Sequence, residues 1–169
     1  MNSSRKKIRP MTEDDLMTVL NWRNHPEIRR YMYTLHEISL AEHVNWFEQS
    51  RQEEARHLLL YEENNLPLGF INLHVIADGG IANWGFYAAP YAPKGTGRCM
   101  GDAAIRYAFG SIGIRKICGQ SLLFNERSIK FHLNLGFQQE GVLRSQHFDG
   151  QNYYDVLCFG LLAHEWPRI

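Results

Sequence analysis

The sequence predicts an α/β fold, a mixed central sheet of about seven strands with helices on both faces. Three observations carry this. Strand-like runs and helical periodicities follow one another in the order β-α-α-β-β-β-α-β-α-β-β. Hairpin chemistry separates strands that succeed each other directly, at Asp78-Gly79-Gly80 and again at Asp149-Gly150. The length, 169 residues with 44% hydrophobic side chains, fits one domain spanning residues 1–169 with its own core.

The elements follow in order. Lys7 to Met11 reads as a short edge strand, because Pro10 has no N–H to give a ladder. Thr12-Glu13-Asp14-Asp15 reads as a helix N-cap with an acidic first turn, and Leu16, Val19 and Leu20 continue it at helical spacing until His25-Pro26 interrupts. Ser39-Leu40-Ala41-Glu42 fits a capping box, with Leu40, Val44 and Phe47 on one face of the helix that follows. His57 to Tyr61, Leu68 to Ile76 and Ile81 to Tyr87 read as strands. Ala88 to Gly97 is a loop rich in proline and glycine. Arg98 to Phe109 carries an apolar helical stripe, and Lys116 to Leu122 reads as a buried strand. Asn125 caps a last helix that Gly136 ends, and Phe137 to His147 and Tyr153 to Leu162 close the sheet.

Composition narrows the function. Eighteen basic and eighteen acidic residues balance, which argues against nucleic acid or an anionic membrane as the principal partner. No apolar run approaches the length of a membrane span, and the basic start Met1 to Lys7 lacks the apolar core of a signal peptide. Three dispersed cysteines, Cys99, Cys118 and Cys158, fit neither a disulfide framework nor a zinc ribbon. The expectation is a cytoplasmic domain, metal-free, with a small-molecule substrate. Strand edges near the C-terminus leave room for a homodimer.

The most informative stretch is Pro90-Tyr91-Ala92-Pro93-Lys94-Gly95-Thr96-Gly97-Arg98, between a strand and a helix. Glycines there let backbone N–H groups approach a ligand, and a helix N-terminus offers unpaired donors and partial positive charge. That suits a pyrophosphate, with Lys94 and Arg98 adding charge. No Gly-Lys-Ser/Thr ends the loop, and Gly-x-Gly-x-x-Gly fails because Met100 stands where the third glycine belongs. The second stretch is Asn125 to Phe137, an Asn-initiated helix ending in a Gly-Phe pair.

Together these stretches resemble the GCN5-related N-acetyltransferase superfamily. Lys94-Gly95-Thr96-Gly97-Arg98-Cys99 approximates that family's Arg/Gln-x-x-Gly-x-Gly/Ala signature, departing at Lys94 and Cys99. The resemblance spans the chain and implies acetyl-CoA as co-substrate, with contacts from Phe86, Tyr87, Lys94, Gly95, Thr96, Gly97, Arg98, Asn125 and Ser128. The strand Asn83 to Tyr87 would run beside the pantetheine, with Gly85 marking a bulge that splays its neighbours. Relatives commonly have a tyrosine where this sequence has His132, which implies that His132 protonates the departing thiolate. A lone histidine on an apolar helix is equally a packed core residue. Relatives also place a glutamate base near the strand, and none occurs from Ile81 to Ala89. A water held by Asn83 or His74, or an acceptor amine that is already neutral, stays open.

The acceptor side falls to the N-terminal half. Trp22-Arg23-Asn24-His25-Pro26-Glu27-Ile28-Arg29, then Tyr31-Met32-Tyr33 and His43 to Phe47, mix cationic and flat side chains around a helix break. They resemble one subgroup, the UDP-4-amino-4,6-dideoxy-N-acetyl-β-L-altrosamine N-acetyltransferases of pseudaminic acid biosynthesis, which serves flagellin glycosylation. The resemblance implies a nucleotide-sugar substrate held by Arg23, His25, Arg30, Tyr33, His43 and Trp46. Two alternatives remain: a protein N-terminal or lysine acetyltransferase of the ribosomal-protein type, and a non-catalytic acetyl-CoA-binding module.

Overall fold

A computed structural model describes residues 5–167, so Met1 to Ser4 of the expected basic start lie outside the described residues. The elements are β1 (Lys6–Pro10), a 3-10 turn (Glu13–Asp15), α1 (Leu16–Asn24), α2 (Pro26–Arg29), α3 (Leu40–Ser50), β2 (Arg56–Glu63), β3 (Leu66–Ala77) and β4 (Ile81–Ala88). Then come α4 (Thr96–Arg106), prolonged by a π-turn (Tyr107–Ser111), β5 (Lys116–Leu122), α5 (Glu126–Asn134), β6 (Gln138–Phe148) and β7 (Tyr153–Leu162). One seven-stranded sheet runs in the order β1-β2-β3-β4-β5-β7-β6. All neighbours pair antiparallel except β4 and β5.

Side-chain alternation divides the sheet into two faces. On the back, Leu59, Tyr61, Ile71, Leu73 and Ile117 meet Met100, Ala104 and Ile105 of α4. On the front, Leu58, Leu60 and Phe70 pack against Val19 and Trp22 of α1 and Phe47 of α3. Each large apolar side chain buried this way contributes roughly 1.5–3 kcal/mol of transfer free energy. The helices α4 and α5 approach closely because position 101 has no Cβ: one there would lie 2.6 Å from Leu135 Cδ1 and 2.8 Å from Phe131 Cζ.

The capping chemistry at residues 12–15 closes a 3-10 turn rather than opening α1 directly. Asp15 accepts from the Thr12 N–H at 2.8 Å and from both terminal nitrogens of Arg9, at 2.7 and 2.8 Å. Arg9 also reaches Glu62 at 2.7 Å, so this buried network ties edge strand β1 to the start of α1. Its charges hold one another: the Arg9 and Thr12 hydrogen bonds overcome the desolvation of Asp15 and keep its carboxyl below the usual range. The box at Ser39 forms as expected, Ser39 N–H donating to Glu42 at 2.8 Å. Gly136 ends α5 with φ +91°.

The feature that creates a site is where β4 and β5 part. They pair only from Ile81↔Lys116 to Asn83↔Cys118 and diverge beyond. Gly85 is not a bulge: it stands in regular register opposite Asn72, and the only irregularity between β3 and β4 lies at Val75/Ala77. The splay therefore has its vertex at Asn83 and Cys118, two residues before Gly85.

Candidate active site

A cleft of about 810 Å³ opens from this vertex. Its walls are the diverging ends of β4 and β5, the loop and first turn of α4, the start of α5, and the segment from His25 to Tyr33. Backbone groups supply one side. The Ala89 N–H donates to Leu68 O at 2.8 Å, which fixes the odd residues of β4 as those bonded to β3. The N–H and C=O groups of Trp84, Phe86 and Ala88 therefore face the gap that β5 has left. An extended ligand with amide groups can pair there as a strand would.

At the wide end of the gap stands the N-terminus of α4. Gly95 occupies the left-handed region at φ +98°, which turns the chain sharply into the helix and which a side chain would strain. The Thr96 N–H bonds Pro93 O at 3.1 Å and the Cys99 N–H bonds Gly95 O at 3.3 Å, leaving the Gly97 and Arg98 N–H groups for a ligand. Lys94 lines the same end, with Arg127, Ser128 and the α5 N-cap Asn125 opposite. Asn125 Oδ1 is committed to the cap, accepting from the Ser128 N–H at 3.1 Å. Arg98 lies off the cleft, 3.5 Å from Asp102 one turn along α4. This arrangement fits a coenzyme with a pyrophosphate and two amides, held mainly by backbone.

His132 is not in the cleft. The ring is 1% exposed and stacked on Phe159 with centroids 4.7 Å apart. Its Nδ1 faces Ser128 O at 2.8 Å, and its Nε2 accepts from Trp84 Nε1–H at 3.1 Å. The Ser128 carbonyl fixes the Nδ1–H tautomer. Burial pushes its pKa down to about 4. The expected proton donor is therefore a neutral core histidine with both nitrogens engaged, and it serves the cleft by bracing Trp84 against α5. Gly119 makes this possible, since a Cβ there would lie 2.7 Å from Trp84 Nε1.

The front face carries the acceptor side. Asn83, Gly85 and Tyr87 of β4, Phe70 and Asn72 of β3, and Cys118 and Gln120 of β5 all line the cleft. His74 shares their face and stands opposite Asn83, but it is not in the cleft wall, and its Nε2 lies 3.8 Å from Glu53. Of the expected acceptor residues, His25 and Tyr33 line the cleft. His25 Nδ1 accepts from the Glu27 N–H at 3.3 Å, capping α2. Tyr33 OH donates to Gln120 Oε1 at 3.0 Å, and Tyr31 stacks on Phe124 with centroids 6.1 Å apart. The segment after α2 thus straps the N-terminal helices to β5 across the cleft.

Arg23, Arg30, His43 and Trp46 are outside the cleft wall. Arg30 pairs with Glu27 at 3.1 Å and stacks over Tyr31. Trp46 stacks on His43 and meets the edge of Phe70. Arg23 gives one nitrogen to Thr34 O at 2.9 Å, while its Nη1 and the Nε2 of His43 are buried without a protein partner. Burial lowers the pKa of both groups, and their mutual proximity adds to the effect at His43. Sequence reasoning missed Asn72 and Gln120. The available signal was Phe70-x-Asn72-x-His74, polar side chains at alternate positions of an otherwise apolar strand.

Among the described residues no helix is long and apolar enough to cross a membrane, and no group of three or more His, Cys, Asp or Glu is arranged to hold a metal ion.

The family described as Acetyltransferase (GNAT) domain matches residues 5–138. The chain is 31% identical over 144 residues to the SPbeta prophage-derived uncharacterized N-acetyltransferase YokL of Bacillus subtilis, covering 83% of this chain and 81% of that protein. It is 24% identical over 127 residues to the acetyltransferase PseH of Campylobacter jejuni, covering 75% and 79%. In structure it resembles the spermidine N-acetyltransferase of Vibrio cholerae, solved with CoA and spermine, with a TM-score of 0.87 at 21% identity over 95% of this chain and 96% of that one.

Proposed function

The chain belongs to the GNAT acetyltransferase family, and on that premise we propose that it acetylates the C4 amine of a UDP-4-amino-4,6-dideoxy sugar by direct transfer from acetyl-CoA. The coarser activity, acetyl-CoA-dependent N-acetyl transfer, follows from the family. The acceptor is the proposed part.

Acetyl-CoA supplies an activated acetyl thioester. The Gly97 and Arg98 N–H groups with Lys94 receive the pyrophosphate, and the free edge of β4 receives the pantetheine amides. This leads the thioester toward the vertex, where a β4 N–H aimed at its oxygen stabilises the charge that builds there, an effect worth roughly 10²–10³ in rate. The acceptor amine attacks the carbonyl carbon from the front face as the carbon–sulfur bond breaks. With His132 buried and the Glu140 carboxylate near Cys118 paired with Lys116 at 2.7 Å, the amine's proton leaves to water and the thiolate departs without a histidine acid. The rate then follows the acceptor amine's own titration.

The observation that supports a nucleotide sugar is the make-up of the acceptor wall. Its groups are amides and aromatic rings: Asn72, Asn83, Gln120, Tyr33, Tyr87 and Phe70. The single carboxylate among the described lining residues, Glu27, is already bound to Arg30. A polycationic amine finds no free carboxylate there, whereas sugar hydroxyls pair with amides and a base lies against aromatic faces. The likeness of Trp22 to Arg29 to the altrosamine acetyltransferases agrees with this reading.

The test is thiol release from acetyl-CoA with a panel of UDP-4-amino sugars, spermidine, and peptides with free N-termini or lysines. The reading expects turnover with the UDP-4-amino sugars at a kcat/KM at least ~100-fold above the others. Preference for spermidine or a peptide overturns it, and no release with any acceptor leaves a binding module.

A further inference from the structure

Asn72 is set where an acceptor must pass. It lies on β3 directly opposite Gly85 of β4, on the front face, and it lines the cleft beside Asn83. Its Oδ1 is buried and has no hydrogen-bond partner. An unsatisfied buried carbonyl oxygen costs roughly 1–3 kcal/mol, so a site keeps one where a ligand completes it. The amide lines the cleft and no hydrogen bond holds its orientation, so a half-turn of the amide brings Oδ1 from this buried position to the open patch over Gly85: position 85 is exposed, and a Cβ built there would meet nothing within 4 Å. The even residues of β4 turn their backbone groups into the splay, so the thioester path and this open patch lie one residue apart on the same strand.

We propose that Asn72 Oδ1 accepts a hydrogen bond from the attacking amine and holds it over Gly85, aimed at the thioester. This rests on the N-acetyltransferase reading and adds the residue that orients the nucleophile and sets its charge state. A carboxylate at this place would favour the ammonium form, whose nitrogen has no lone pair to attack with. An amide oxygen accepts an N–H from the neutral amine without that penalty. The site thereby selects neutral primary amines, such as those next to electron-withdrawing sugar oxygens, over permanently charged ones. In the reaction the amine nitrogen bonds the acetyl carbon, the carbon–sulfur bond breaks with its electrons going to sulfur, and one amine proton passes to water.

The experiment is steady-state kinetics of Asn72→Ala, Asn72→Asp and Gly85→Ala with acetyl-CoA and the UDP-4-amino sugar, over pH 6–9. Binding of free CoA to each variant serves as the check of folding. Asn72→Ala should lower kcat/KM for the acceptor about 10-fold with the acetyl-CoA KM unchanged. Asn72→Asp should move the rise of kcat/KM to higher pH by about one unit, because the carboxylate holds the amine protonated. Gly85→Ala, whose methyl enters open space, should lower acceptor kcat/KM several-fold and leave CoA binding intact. If an Asn72 variant loses CoA binding, Gly85→Ala decides: unchanged acceptor kinetics overturn the proposal. Acceptor kcat/KM within twofold of wild type in the Asn72 variants, or an unshifted pH profile in Asn72→Asp, overturns it too. The two readings fail separately. Wild type turning over spermidine rather than the sugar removes the sugar reading, and the same variants then test Asn72 with spermidine.

Discussion

On the proposed reading, the two halves of the cleft hold their ligands by different means. The coenzyme half is built from backbone: free N–H groups at the start of α4, and a β4 edge left unpaired where β5 turns away. The acceptor half is built from side chains of three strands and of the His25–Tyr33 segment that meet only in the folded molecule, among them Tyr33, Asn72, Asn83 and Gln120. A backbone site needs little of its sequence beyond room for the ligand. A side-chain site changes its specificity with each substitution. The division lets one scaffold keep its donor while its acceptor varies.

Substitutions in one half should leave the other untouched, and the effects fall in a definite order. The largest belongs to Gly97→Ala. A Cβ at 97 makes only an ordinary contact with Phe131, at 3.7 Å, so the fold tolerates it. A pyrophosphate against the Gly97 N–H does not. Hydrogen bonds to charged groups are worth roughly 1.5–3 kcal/mol, so the acetyl-CoA KM should rise between about 10- and 100-fold with the acceptor KM unchanged.

Gly119→Val is next and acts on the partition between the halves. Its side chain collides with the Trp84–His132 pair and should cost about 1–3 kcal/mol of stability, read from chemical denaturation. His132→Phe separates a structural role from a catalytic one. The folded His132 titrates at about 4 against 6.5 unfolded, so its neutral form is fully accommodated above pH 6.5 and stability drains as pH falls toward 4. Between pH 7.5 and 5 this amounts to about 1–2 kcal/mol in the wild type, and denaturation at the two pH values should show that increment missing from the variant. The pH profile of kcat should keep its shape. The smallest effect is that of Tyr33→Phe, which removes one exposed hydrogen bond to Gln120 and should change the acceptor KM less than about threefold.

The same contrast governs what was legible in the sequence. The α/β class, the order of strands and the glycine turn into α4 could be read because hydrophobic period, hairpin turns and glycine spacing are local properties of the chain. The acceptor wall could not. Asn72 and Gln120 lie 48 positions apart and share a wall only because β3, β4 and β5 are neighbours in the sheet. His132 shows the opposite error. Its place five residues before Phe137 matched a catalytic position, but the short side chain sits behind Trp84, where burial and two hydrogen bonds leave it neutral. Spacing along a helix gives the direction of a side chain, and the neighbours decide whether it reaches the cleft. Gly85 was read as a bulge because glycine interrupts strands. It instead leaves the front face open over the vertex.

The division into a backbone half and a side-chain half is tested most directly by amide chemical shifts. CoA, and then UDP, would be titrated into the isotope-labelled protein. CoA should shift the N–H resonances of Gly97, Arg98, Trp84, Phe86 and Ala88 and leave His25 to Tyr33 in place, while UDP should move the latter set and leave α4 unchanged. Shifts from CoA centred on α1 and α3, with β4 and the start of α4 silent, would contradict the account.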